Sequence, residues 1–263
     1  MNKKHTLVVV DPQNDFCDHR GSLYVEGAFA DIKRLAGHIE KNGKRYGDIL
    51  ISLDSHDVTA IYHPRFWTDD SANSPSPYTA ITEEDFASGR WRPASGENQR
   101  YAEQTFSILR EKEAGPLMVW PEHCVISTWG HQISDTLREA LGGWRERTGK
   151  AVRYVFKGEN PYTDQFSIFE GLDDSYPETS FNEALFARLA AADSVTFAGE
   201  ALSHCVGESV LSYMRRLEGK KQEVILLTDC TSAVTGFDSK EMLKRLALEN
   251  VKLVRTTEFQ ANA

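Results

Sequence analysis

Three residues far apart in the chain, Asp11, Lys157 and Cys205, would together suit acyl transfer to sulfur. Cys205 lies in GEALSHCVGESV (199–210), where a strand-like burst passes through Gly199 into a stretch of helical spacing. A thiol in a first helical turn feels the positive end of the helix dipole and nearby free N–H groups, and both favour thiolate. The same N–H groups could hold an oxyanion. A solitary cysteine is ordinarily an inert buried hydrophobe, so the case rests on its company. Asp11 follows the apolar burst 5–10 and could accept the thiol proton, although before Pro12 it could equally serve a turn. Lys157, after Tyr154, Val155 and Phe156, would set a cation beside the sulfur; alone it would read as a solvated strand-end lysine. His204 adjoins the cysteine, but chain neighbours on a helix do not face each other, so it is given no role.

A second group has the makings of a metal site. Asp54 and His56, two apart at a strand end, can point the same way. His63 and His123 compete for the third place. His123, in VWPEHCV (119–125), is preferred because a turn built around Pro121 would fix its ring, whereas His63 sits in sequence expected to be flexible. One aspartate and two histidines would leave positions open for water and substrate, as catalytic sites do. Cys124 and Cys230 lack partner spacing and read as packing residues, Cys17 after a loop aromatic is expected to be exposed and is assigned no chemistry, and Asp229 reads as a turn or cap residue.

The elements that must position these groups alternate along the chain. Short apolar bursts at 5–10, 48–53, 152–156, 194–198, 223–228 and 251–255 predict strands buried on both faces. Amphipathic stretches at about 29–42, 131–142, 181–191, 204–218 and 238–249 predict helices between them. The expected fold is α/β: a doubly wound, mainly parallel six-stranded sheet with helices on both faces, in a single domain spanning 1–263. Ligands then bind beyond the carboxyl ends of the strands, where Asp11, Asp54, Lys157 and Gly199 all fall. Residues 57–115 break the rhythm, rich in Ser, Pro, Asp, Gly and aromatics, and predict a long insertion after the second strand, either a lid or oligomer contact or a tolerated surface excursion.

Composition narrows the function classes. Of 263 residues, 40% are apolar and 26% charged, which argues against disorder or coiled coil. Thirty Lys and Arg against 39 Asp and Glu give a net charge of -9, which argues against nucleic acid and anionic membranes as partners. Apolar runs such as Leu7 to Val10 fall far short of the roughly 20 residues that span a bilayer. The opening MNKKH lacks a signal-peptide pattern, so a reducing cytoplasm is expected.

Taken in order, these motifs resemble the nicotinamidase branch of the isochorismatase-like cysteine hydrolases. VVVDPQNDF (8–16) resembles the opening strand and catalytic aspartate, DSH (54–56) and WPEHC (120–124) the metal half-sites, FKG (156–158) the lysine segment, and GEALSHCV (199–206) the nucleophile turn. The resemblance implies a nucleophile at Cys205, a proton carrier at Asp11, an assisting cation at Lys157, and one divalent metal (commonly zinc, iron or manganese) on Asp54, His56 and His123. It implies an oxyanion hole from the backbone amides of Ala201 and Cys205, a cis peptide between Glu200 and Ala201, and Phe16 and Trp120 on either side of a flat ring. The implied reaction is amide hydrolysis through a thioester, nicotinamide giving nicotinate and ammonia, in a homo-oligomer. The rivals are another small amide, ureide or carbamoyl substrate, and a binding or scaffold protein with a vestigial site. Three features depart from the family pattern: Glu200 in place of a small apolar residue, DQFSIF (164–169) in place of Tyr-Ser-Ala-Phe, and the length of 57–115.

Overall fold

The computed structural model describes residues 4–217, 219 and 221–259. Six strands form the central sheet: β1 (His5–Val10), β2 (Tyr46–Asp54), β3 (Arg153–Lys157), β4 (Ser194–Gly199), β5 (Glu223–Leu227) and β6 (Lys252–Val254). Their order across the sheet is β6-β5-β4-β1-β2-β3, and every neighbouring pair is parallel. The alternation of strand faces explains the apolar bursts. Leu7 and Val9 of β1 enter one hydrophobic cluster and Val8 and Val10 the other, so both faces of the strand are covered.

One face carries α1 (Ala28–Asn42) and α3 (Asp135–Thr148). In α1, Ala28, Ile32, Leu35, Ala36 and Ile39 are buried at helical spacing. Trp144 of α3 is fully buried and donates to the Gly43 carbonyl at 2.9 Å, tying the two helices. The other face carries α4 (Glu183–Ala190), α5 (Gly207–Leu217) and α6 (Ser239–Leu248). The six strands and five helices match the expected positions to within a few residues at most ends.

Two helices begin later than the spacing predicts. Residues 131–134 are not helical, because Asn14 N–H binds Gln132 O (2.8 Å) and Ser134 N–H binds Pro12 O (3.0 Å), which holds this stretch extended beside the loop after β1. The stretch 204–218 opens as a wide π-type turn over Leu202–Val206 before α5 takes over; Glu218 lies outside the described residues.

The segment 57–115 is more ordered than its composition suggests. It holds α2 (Gln99–Glu111), whose buried face is Ala102, Thr105, Phe106 and Leu109. A short helix at Glu83–Ala87 is fixed by a capping box between Thr82 and Asp85. Phe86 stacks on Phe106 with centroids 4.7 Å apart, beside the fully buried Trp67. Ala80–Ile81 pairs antiparallel with Leu117–Met118, which closes the excursion where it rejoins the sheet domain. Among the described residues, no helix is long and apolar enough to cross a membrane.

Candidate active site

The sheet register puts the chemistry together. Val10 stands opposite Gly199 and Asp54 opposite Lys157, so the carboxyl ends of β4, β1, β2 and β3 form one rim. At its centre Lys157 Nζ lies 3.0 Å from Asp11 Oδ2, 2.7 Å from Asp54 Oδ1 and 3.5 Å from Cys205 Sγ. All four side chains are buried. The predicted acid, amine and sulfur, drawn from three distant stretches, therefore meet.

Backbone and side-chain bonds set each group. Asp11 adopts a left-handed conformation (φ 44°), which aspartate tolerates better than most residues. Ser52 locks it by accepting from Asp11 N–H (3.0 Å) and donating to Asp11 Oδ1 (2.5 Å). Gln13 brackets Asp54, donating to its carbonyl and accepting from its N–H, both at 2.7 Å. Lys157 also donates to the Gln165 carbonyl (3.0 Å), while Gln165 Oε1 accepts from Gly158 N–H (3.0 Å). Gly158 needs to be glycine: its φ is +74°, and a Cβ there would stand 2.4 Å from His56 Cε1. Ser52, Gln13 and Gln165 carry no sequence signal beyond their type; only the fold shows their positioning role.

The electrostatics follow from burial and company. Burial works against the Lys157 charge, but Asp11 and Asp54 outweigh it and hold the ammonium well above the usual lysine range. Burial likewise opposes the Asp54 charge, yet His56 and Lys157 hold that carboxyl well below the usual range. Asp11 is raised, because burial exceeds the pull of Lys157. The expectation of a lowered Cys205 thiol is not met. Burial pushes it up strongly, with Lys157 pulling the other way and Asp11 adding to the rise. The resting sulfur is thus a neutral thiol beside an acceptor, rather than a standing thiolate.

Asp54 Oδ2 turns toward the imidazoles, 2.9 Å from His56 Nε2 and 3.7 Å from His123 Nε2. The donor atoms of Asp54, His56 and His123 all lie within 4.8 Å of one another. Both rings are oriented through their other nitrogen. His56 Nδ1 lies 3.1 Å from the Gly158 carbonyl and 2.5 Å from the Tyr62 hydroxyl, and His123 Nδ1 lies 2.8 Å from the Pro121 carbonyl. Carbonyls accept only, so each Nδ1 is oriented as a donor and each Nε2 is the nitrogen turned toward Asp54. A carboxylate and two imidazoles so arranged fit a divalent cation such as zinc. His63 does not sit in a flexible stretch; it is fully buried behind His123, with Nε2 3.4 Å from His123 Nδ1, and burial pushes it down to about 2.

Cys205, Ala201, Phe16, Trp120, Asp54, His56 and His123 line one small, partly open cavity. Its wall also includes Tyr62, Asp164, Phe166 and His204, none of them assigned a role from sequence. His204 packs against Phe237 (4.4 Å), Trp120 (5.2 Å) and Phe166 (5.2 Å), and burial pushes it down to about 4, so it contributes a neutral ring. Asp164 is pushed up to about 6, mainly by burial. The Glu200–Ala201 peptide is cis, as the resemblance implies.

No family model matches the chain. Individual proteins do. A nicotinamidase of Saccharomyces cerevisiae is 26% identical over 244 residues, covering 93% of this chain and 94% of that protein. A solved yeast nicotinamidase superposes with a TM-score of 0.67 at 21% identity, covering 95% of this chain and 99% of the other. A pyrazinamidase of Pyrococcus horikoshii, solved in complex with zinc, gives 0.58 at 20% identity, covering 96% and 99%. Over nearly its whole length the chain is thus similar to nicotinamidases in sequence, and it shares their fold. The segments that carry the resemblance, 8–16, 54–56 with 120–124, 156–158 and 199–206, all reach the rim described above.

Proposed function

We propose that the protein hydrolyses the primary amide of a small flat heteroaromatic, nicotinamide to nicotinate and ammonia, through a thioester on Cys205. The observation that carries this is the contact of one buried ammonium, Lys157, with Asp11, Asp54 and the Cys205 sulfur at once.

Asp11 takes the thiol proton as Cys205 Sγ attacks the carboxamide carbon, which suits an acceptor whose affinity for protons is raised. The developing oxyanion lies against the backbone amides of Ala201 and Cys205. Asp11 then returns the proton to the departing nitrogen; the carbon–nitrogen bond breaks, ammonia leaves and the thioester remains. Water attacks that thioester with Asp11 taking its proton, the carbon–sulfur bond breaks, and the proton goes back to sulfur as the acid is released. Lys157 keeps Asp11 charged at the start of each half-reaction. Phe16 and Trp120 flank the ring from the cavity wall.

Asp54, His56 and His123 would hold the divalent cation, with zinc the proposed occupant. When bound, it supplies a Lewis-acidic position for a ring nitrogen. Ammonia release from nicotinamide by the purified, metal-loaded protein tests the reading; a Cys205→Ala variant with undiminished turnover sinks it. A different small amide as substrate keeps the same chemistry, and Gln165 and Phe166 in the cavity wall are the residues that favour testing a panel.

A further inference from the structure

We infer that Glu200 is a positioning residue: its buried carboxyl, bonded to Ser232, fixes the backbone at Ala201 so that the Ala201 amide faces the substrate oxygen. The inference rests on the thioester reading of the site.

Glu200 is fully buried, yet its carboxyl reaches away from the cavity that Ala201 lines. Glu200 Oε2 accepts from Ser232 N–H at 3.0 Å, and the Ser232 carbonyl accepts from Leu202 N–H at 2.8 Å. The single residue 232 therefore grips the turn on both sides of Ala201. Ser232 is itself immobilised, because its hydroxyl donates to Asp31 Oδ2 at 2.5 Å and Asp31 is paired with Arg34 on α1. The N–H groups flanking Ala201 are committed as well, Glu200 to the Val10 carbonyl (2.8 Å) and Leu202 to Ser232. The amide between them is the one these bonds leave for the cavity. Burial and the Asp31 charge push the Glu200 carboxyl well above the usual carboxylate range. An apolar side chain of similar size would fill the space but leave the partly buried Ser232 N–H without this acceptor.

Glu200→Leu and Glu200→Gln separate this from mere packing. In Glu200→Leu, kcat should fall about 10- to 100-fold with KM nearly unchanged, somewhat less than the loss of a whole oxyanion donor. Glu200→Gln, which keeps the acceptor for Ser232, should restore kcat to within about threefold of the parent. A second readout does not need turnover. Pyridine-3-carbaldehyde adds across the thiol, with the sulfur–carbon bond forming, the carbonyl π bond breaking, and the oxygen taking the charge or the thiol proton. Its affinity should fall in Glu200→Leu in proportion to kcat, while the rate of Cys205 alkylation by iodoacetamide stays at the parent value. Parent kcat and aldehyde affinity in Glu200→Leu would overturn the inference. So would equal losses in the leucine and glutamine variants, or alkylation falling in step with kcat. Were the parent protein to release no ammonia, the functional reading would fail by itself, and the aldehyde series would still decide the role of Glu200.

Discussion

Asp54 Oδ1 lies 2.7 Å from Lys157 Nζ while its other oxygen faces His56 and His123, so one carboxylate joins the sulfur half of the site to the imidazole half. Lys157→Met keeps the aliphatic stem and removes the charge. Removing one partner of a buried ion pair costs about 3–5 kcal/mol, because the other is left uncompensated. Denaturant unfolding at neutral pH should show a loss of that order, and kcat/KM should drop on the order of 10³-fold or more. Unchanged stability would contradict the ion-pair geometry.

Metal content distinguishes the two histidines that compete in the sequence. Chelation should abolish activity and added zinc should restore it. Elemental analysis should find the metal lost in His123→Ala and kept in His63→Ala, since only His123 shares the donor cluster. Tyr62→Phe should weaken metal affinity about 10- to 100-fold by freeing the outer nitrogen of His56. Loss of metal in the His63 variant alone would reverse the assignment.

The four free cysteines should differ in reactivity. Cys205 lines the cavity, whereas Cys17, Cys124 and Cys230 are sealed at 2% exposure or less. Brief iodoacetamide treatment followed by peptide mass mapping should find one adduct, on Cys205, and nicotinate should slow its formation. Labelling spread evenly over the four would argue against the cavity geometry.

Glu200 gives a pH signature in stability. Burial and Asp31 raise its carboxyl well above the ordinary value of 4.5, with Ser232 and Arg34 opposing and the Cys17 and Cys230 thiols nearby. A raised acid favours the folded state fully below the unfolded value and loses that contribution as pH rises through the folded one. Glu200→Gln cannot ionise. Its stability relative to the parent should therefore climb as pH increases above about 4.5, in unfolding titrations across pH. A difference that stays flat from acid to alkaline pH would contradict the raised carboxyl.

Within 57–115, Phe106→Ala should destabilise the protein by about 3–5 kcal/mol, the usual cost of emptying a buried phenylalanine site. Chemical denaturation measures this directly, and a change under 1 kcal/mol would mean the Phe86–Phe106–Trp67 cluster does not bear on the fold.

Much of the site was readable before any coordinates. Val-rich bursts betrayed the strands, and polar residues at their carboxyl ends, Asp11, Asp54 and Lys157, stood out against them. What escaped was of two kinds. Helix α2 hides its stripe because Thr105 interrupts the apolar residues and the flanking sequence is polar. At Cys205 burial, a property of the packed state that sequence does not display, outweighs the pull of Lys157. Gln13, Ser52 and Gln165 are ordinary polar residues in the sequence, and only the sheet register aims their side chains at Asp54, Asp11 and Gly158.

Tyr62 belongs to the excursion after β2, yet its hydroxyl touches His56 Nδ1 and its ring walls the cavity. An engineer who trims or grafts that excursion thereby rewires a ligand's protonation partner. Swaps among relatives should carry the tyrosine along, or the transplanted chain will inherit a misaimed imidazole.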